Sequence, residues 1–225
     1  MGGGDLCAAD AAEERRLKDI GTTNVWAETL TGLQFNPAHE HPQFELADLV
    51  WGCARICRYG GQIKPGDFHY SVLEHQYLMT MHALAKWFGA TDLSTIYMLP
   101  ELARREMRTV AMHDLPEGLI GDMVRPLKKQ LPSYCTLEDS FAAKVARRYD
   151  CLHPMPAWVK DLDNRILVDE RKQVMSRSMN IWASDTLQPL GVQINFWKPA
   201  DAVAIYCGLL QALGVREAAL VPLAA

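Results

Sequence analysis

His113–Asp114–Leu115–Pro116–Glu117, continued by Gly121–Asp122 and Arg125–Pro126–Leu127–Lys128, is the stretch that decides how this chain is read. An adjacent His–Asp pair offers one imidazole nitrogen and one carboxylate oxygen to a single metal ion. The preceding run, Glu101 to Met112 (ELARREMRTVAM), is rich in helix formers, so the pair falls at the C-terminal end of a helix. Pro116 cannot continue that helix but suits the first turn of a new one. The chain therefore bends just after the two candidate ligands, with Glu117 beyond the bend and free to act as a general acid or base. A His–Asp dipeptide by itself is also what a capped helix end or chance would leave, so the surrounding chain has to decide.

Outward from this stretch the sequence predicts helices in both directions. Phe44 to Arg58 carries an apolar stripe of Leu46, Leu49, Val50, Cys53, Ile56 and Cys57, and stops at Tyr59–Gly60–Gly61. Arg58 is either a helix-terminal charge favoured by the macrodipole or an anchor for a phosphate or sugar. Tyr70 to Trp87 is a second amphipathic helix with Val72, His75, Gln76, Met79, His82 and Ala83 on one face. His75 there is a satisfied core residue or an inward ligand, and His82, two turns on, competes for the second role. Glu101 to Asp114 is the third helix and Leu137 to Asp150 a fourth. In a fifth, Ala157 to Met179, Asp163 and Glu170 stand beside the apolar stripe of Val159, Leu162, Ile166 and Leu167, while Asp161 and Asp169 read as surface charges. Pro189 to Trp197 is the one short β-like stretch, or else simply an extended linker, and Pro199 to Gly214 closes the chain as a helix. The expected architecture is all-α.

Composition bounds the function. A chain of 225 residues can bury a sizeable core, and 49% hydrophobic against 22% charged residues is a globular balance. A net charge of −4 implies no broad basic surface, which argues against a nucleic-acid polymer as partner. No apolar run approaches the roughly 18–20 residues that span a bilayer, and no signal-peptide pattern opens the sequence. Six scattered cysteines lack zinc-finger spacing, and Cys53 and Cys57 read as reduced core residues one helical turn apart. The expectation is an intracellular protein without membrane association. MGGGDLCAAD reads as loose, Ala11 to Ile20 as a short charged helix, and Gly21 to Gln43 as extended. His39 and His41 lack a third ligand and read as solvated.

Taken together, these pieces resemble the HD-domain phosphohydrolases, in which a His on one helix precedes His–Asp at the end of a later one and Asp on a still later one. Arg58–Tyr59–Gly60–Gly61–Gln62, Tyr70–Ser71–Val72–Leu73–Glu74–His75, the His113 to Lys128 stretch and Trp197–Lys198–Pro199–Ala200–Asp201 look like the compact branch that includes bacterial 5′-deoxynucleotidases and phage dATP triphosphohydrolases. The resemblance covers roughly 33–213. It implies a single HD-domain helical bundle at 33–225, preceded by a partly flexible N-terminal extension at 1–32.

Carried over residue by residue, the resemblance puts one divalent transition metal (cobalt, manganese, zinc or iron) on His75, His113, Asp114 and Asp163. Magnesium or a further divalent ion would accompany the substrate phosphates. Glu117 would orient or deprotonate the attacking water, with Asp122 assisting proton transfer to the leaving oxygen. Arg58 and Lys128 would offset phosphate charge, while Tyr59, Gly60 and Gly61 would shape the sugar or base pocket. The implied activity is hydrolysis of deoxynucleotides, foremost dATP to deoxyadenosine and triphosphate. Phosphate release from dNMPs is the alternative, and a non-catalytic nucleotide-binding regulator the remoter one. Extra cations beyond Arg58 and Lys128, for which Arg125 and Lys129 are candidates, would favour the triphosphate. A homo-oligomer in the cytoplasm, that of the host if phage-encoded, is also implied. The departures are Leu115–Pro116 after the His–Asp pair, where the family has small residues, and Gln62 after the glycines.

Overall fold

Residues 26–177 and 179–222 are described by a computed structural model. The loose segment and the charged helix expected before Gly21, and the reading of Cys7, lie outside the described residues. Helices dominate: α1 (Leu46–Arg55), α2 (Val72–Phe88), α3 (Leu93–Tyr97), α4 (Glu101–Met112), α5 (Glu117–Ile120), α6 (Arg125–Lys128), α7 (Pro132–Arg148), α8 (Ala157–Gln173) and α9 (Pro199–Ala212). The sheet content among the described residues is one antiparallel pair, β1 (Ala27–Glu28) with β2 (Gln34–Phe35). The fold is all-α, as the hydrophobic periodicity predicts. No helix among the described residues is long and apolar enough to cross a membrane.

The core is a helical stack in which α1, α2 and α9 pack on one another, α4 lies against α2, and α5 crosses α1. Leu49, Val50 and Cys53 of α1, Leu73 and Met79 of α2, Val110 of α4 and Leu209 and Leu210 of α9 are all fully buried. Tyr206 of α9 completes the seam by donating from its hydroxyl to the Ala111 carbonyl at 2.6 Å. Ahead of the first helix, Thr31 donates from its backbone N–H (2.8 Å) and its hydroxyl (3.0 Å) to the Asp48 carboxylate. That pins the β1–β2 hairpin to the start of α1.

At the α1–α5 crossing the two backbones come close at a pair of glycines. A Cβ added at Gly118 would sit 2.2 Å from the Leu49 carbonyl oxygen, and one at Gly52 would sit 2.0 Å from the Gly118 oxygen. Only a side chain of hydrogen fits at either position. Because Gly118 follows Glu117, this contact sets where the Glu117 side chain begins.

Several sequence expectations are corrected. α1 ends at Arg55, because Ile56 and Cys57 turn to extended backbone. Cys57 makes a β-bridge to Ser71, so it does not lie one helical turn from Cys53. α7 starts at Pro132, with proline in the first turn where its missing N–H costs nothing. α8 stops at Gln173, six residues before Met179. Pro189 to Trp197 is not a strand: its N–H groups are taken by side chains instead of a neighbouring strand. Asp169 accepts from Leu190 and Gly191, Gln173 from Ile194, and Glu74 from Asn195, Phe196 and Trp197. Asp169 is therefore buried under this segment and is not the surface charge its helical position suggests.

Candidate metal centre

Each ligand candidate is delivered by a local feature of the sequence. Ser71 caps α2, its hydroxyl accepting the Glu74 N–H at 3.0 Å, and this places His75 one turn in, on the buried face. α4 runs out at Met112, and a tight turn through His113 and Asp114 leads into α5, with Pro116 as the residue before its first turn. α8 enters behind Pro156 and presents Asp163 in its second turn and Glu170 two turns later. The ligand atoms of His75, His113, Asp114 and Asp163 lie within 4.8 Å of one another. His75 Nε2 is 3.4 Å from Asp163 Oδ1 and 3.7 Å from Asp114 Oδ2, and His113 Nε2 is 3.2 Å from Asp114 Oδ2.

The donor chemistry fits a cation. Both Nε2 atoms are buried without a hydrogen-bond partner, a costly state that a metal ion would relieve. Both Nδ1 atoms are engaged from behind, His75 with Glu170 Oε1 at 2.7 Å and His113 with the Val110 carbonyl at 2.8 Å. An Nδ1–H donated to each acceptor would leave the Nε2 lone pair facing the cluster, an arrangement typical of metal-binding histidines. Burial by itself would raise the Asp114 and Asp163 carboxyls. His113 beside Asp114 and His75 beside Asp163 outweigh it and hold both well below the ordinary carboxylate range. Two carboxylate oxygens and two imidazole nitrogens are thus gathered where a divalent ion could be held. His82 is half-buried and outside this group, and the exposed His39 and His41 lie outside it too.

Beside the cluster lies Glu117, buried, with Oε2 unpartnered and Oε1 3.4 Å from Lys128 Nζ. Burial, then Asp114 and Asp122, push its carboxyl well above the usual range. Asp122 is half-buried, and its carboxyl is raised chiefly by burial. Lys128 Nζ is shared with Glu138 at 2.7 Å. Two further cations converge on Asp163 Oδ2, Lys160 at 2.6 Å and Arg125 at 3.3 Å, and each is half exposed.

A crevice of about 250 Å³ opens from His113, Asp114, Glu117 and Lys128 and runs between α7 and the 151–155 loop, over Val145, Leu152 and Met155. This is just below the roughly 300–1,000 Å³ typical of small-molecule pockets. Arg58, Tyr59 and Gly61 do not line it. They form a 3-10 turn, Arg58–Gly61, whose Tyr59, Gly60 and Gly61 all hold positive φ. Arg58 is buried, with Nη1 3.6 Å from Asp114 Oδ2 and Nε 3.3 Å from Glu170 Oε1, and Tyr59 donates from its hydroxyl to Glu170. Gly61 is exposed at the end of the turn.

Sequence reasoning missed Lys160 and Glu138 at this site. Lys160 was findable, since it stands three residues before Asp163 and shares its helix face. Arg125 reaches the cluster as its nomination for a phosphate requires, whereas Lys129 is absent from both the cluster and the crevice.

Comparison with known proteins adds relatives but no function. No family model matches the chain. An uncharacterized protein of Rhodobacter capsulatus is 29% identical over 138 residues, which are 60% of this chain and 64% of that protein. The uncharacterized protein YfdR of Escherichia coli is 26% identical over 138 residues, 61% of this chain and 65% of that protein. The match spans just under two thirds of each relative's length.

Proposed function

We propose that this protein is a divalent-metal-dependent phosphohydrolase of the HD type acting on deoxynucleotides, foremost on dATP to yield deoxyadenosine and triphosphate. The observation that carries the reading is the convergence of two histidine nitrogens without hydrogen-bond partners and two aspartates beside a buried glutamate. Phosphoryl chemistry needs positive charge at phosphorus, a positioned water and a proton route, and little else.

His75, His113, Asp114 and Asp163 would hold the ion, whose chemistry when bound is Lewis-acid polarisation of a phosphoryl oxygen and acidification of water. Cobalt, manganese, zinc and iron all suit two imidazoles and two carboxylates. Glu117, beside the cluster in sequence and with Oε2 unpartnered, would accept a proton from the attacking water or return one. Asp122 is the second carboxyl available for the leaving oxygen. Lys128, Lys160 and Arg125 meet a substrate as cations around the cluster, and Lys160 and Arg125 exceed what one phosphate requires. That surplus supports a polyphosphate substrate over a monophosphate. The crevice beyond Glu117 is the place for the nucleoside, its apolar floor of Val145, Leu152 and Met155 suiting a base or deoxyribose.

The test is chromatographic product analysis after incubating the purified chain with dATP, dAMP and ATP, with cobalt or manganese added. Deoxyadenosine and intact triphosphate from dATP, with ATP and dAMP left alone, is the expected result. Phosphate released mainly from dAMP would replace the proposal with the 5′-nucleotidase reading. No turnover beyond that of His113→Ala would remove the enzymatic reading altogether. The double variant Arg125→Ala/Lys160→Ala should raise KM for dATP at least tenfold.

A further inference from the structure

Glu170 is no ligand of the cluster, yet it is wholly buried and gathers four polar side chains around its carboxylate. Its Oε1 stands 2.7 Å from His75 Nδ1, accepts from the Tyr70 hydroxyl at 2.8 Å and lies 3.3 Å from Arg58 Nε. Its Oε2 accepts from the Tyr59 hydroxyl and from Arg58 Nη2 at 3.5 Å. Arg58 Nη1 then reaches back to within 3.6 Å of Asp114. One side chain thus touches a ligand from behind, and through Arg58 reaches a second.

We propose that Glu170 is the positioning residue of the metal centre: it selects the tautomer of His75 and anchors the Arg58–Gly61 turn beside the cluster. The need for it follows from what surrounds His75. A neutral imidazole carries one N–H, and Asp163 and Asp114 stand 3.4 and 3.7 Å from Nε2. Without a stronger acceptor behind the ring, the proton would move to Nε2 and point at those carboxylates. An Nε2–H has no lone pair to give a metal. The carboxylate of Glu170, closer than either aspartate, holds the proton at Nδ1.

The second role is conformational. Tyr59 holds φ at 61°, a left-handed backbone that a residue other than glycine adopts only where its surroundings impose it. Its hydroxyl bond to Glu170, with Arg58 on the same carboxylate, supplies that constraint. The turn is consequently tied to the atom that sets the His75 tautomer.

This inference rests on the cluster being a metal site and not on which nucleotide is hydrolysed. Two measurements on the whole chain, freed of metal, test it at one fixed pH. First, 15N imidazole spectra, with the His75 signal identified by its loss in His75→Gln, report the ring proton directly. Second, cobalt affinity by chelator competition is compared for wild type, Glu170→Gln and Tyr70→Phe. A glutamine has one acceptor oxygen and a donor amide where several donors converge, so it cannot reproduce both sides of the carboxylate. The expected results are His75 protonated on Nδ1 in wild type, a cobalt affinity about 10–100-fold weaker in Glu170→Gln, and a smaller loss in Tyr70→Phe. A His75 proton on Nε2 in wild type overturns the inference, and that measurement decides alone if Glu170→Gln fails to fold. Folded Glu170→Gln that binds cobalt as tightly as wild type overturns it while leaving the metal reading intact. Wild type that takes up no divalent ion overturns both.

Discussion

Gly118→Ala isolates the contact that seats Glu117. The added Cβ would lie 2.2 Å from the Leu49 carbonyl oxygen and 2.9 Å from its carbon, where real Cβ atoms keep at least 3.0 Å. The crossing of α1 and α5 must open by about 0.8 Å to admit it. Leu49 is fully buried backbone inside α1, so the four-residue α5 yields. Two effects compete: alanine in place of a helical glycine contributes about 0.5–1 kcal/mol, while overpacking a close contact costs about 1–3 kcal/mol. Overpacking wins, leaving a net loss of about 1–2 kcal/mol. For a domain of this size the melting temperature falls by about 2–8 °C. Because Glu117 precedes Gly118, a shift approaching 1 Å should also lower kcat by about 10²-fold. Thermal unfolding followed by circular dichroism measures the first effect and dATP turnover the second. Gly208→Ala in α9 is the control, since its Cβ would meet only Leu93 Cδ1 at 3.4 Å and helix propensity should raise its melting temperature. A Gly118→Ala chain as stable as wild type, with unaltered turnover, would refute the close-approach argument.

Two further outcomes follow from buried carboxylates. Burial pushes the Glu170 carboxyl up, but Arg58 and then His75 outweigh it and bring the group down from an ordinary 4.5 to about 2. A depressed carboxyl contributes stability above its unfolded value that is lost as pH falls toward its folded one, here on the order of 3 kcal/mol between about pH 5 and pH 2. In the metal-free protein, the gap in denaturation midpoint between wild type and Glu170→Gln should narrow steadily over that acid range, and a pH-independent gap would count against the ion-pair account. Asp169→Ala strips the acceptor from the backbone N–H groups of Leu190 and Gly191, at 2.8 and 3.1 Å. It should cost about 2–4 kcal/mol in urea unfolding and expose the 187–197 segment to limited proteolysis, whereas an unchanged cleavage pattern would show the segment held by other contacts.

The helical class and part of the candidate site's geometry were legible in one dimension. Apolar residues recurring every three to four positions place α1, α2, α4, α8 and α9, because a surface helix must bury one stripe whatever it packs against. His–Asp before a proline marks a helix end facing a bend, and Asp163 and Glu170 share a face because seven residues make two turns. These are local consequences of backbone geometry, so local sequence suffices for them.

What needed the tertiary structure is of another kind. Gly52 and Gly118 lie sixty-six positions apart, and nothing in either neighbourhood says that one helix will press on the other. Asp169 reads as solvent-facing from its helix alone; a segment twenty residues on folds over it and makes it a buried acceptor. Arg58 and Tyr59 look like substrate contacts from their motif, yet their hydrogen-bonding groups turn inward to Glu170, more than a hundred residues away. Periodicity along the chain determined which residues face inward. Only the packing of separate elements decided which inward residues meet, since chain distance carries no information about partners brought together by burial.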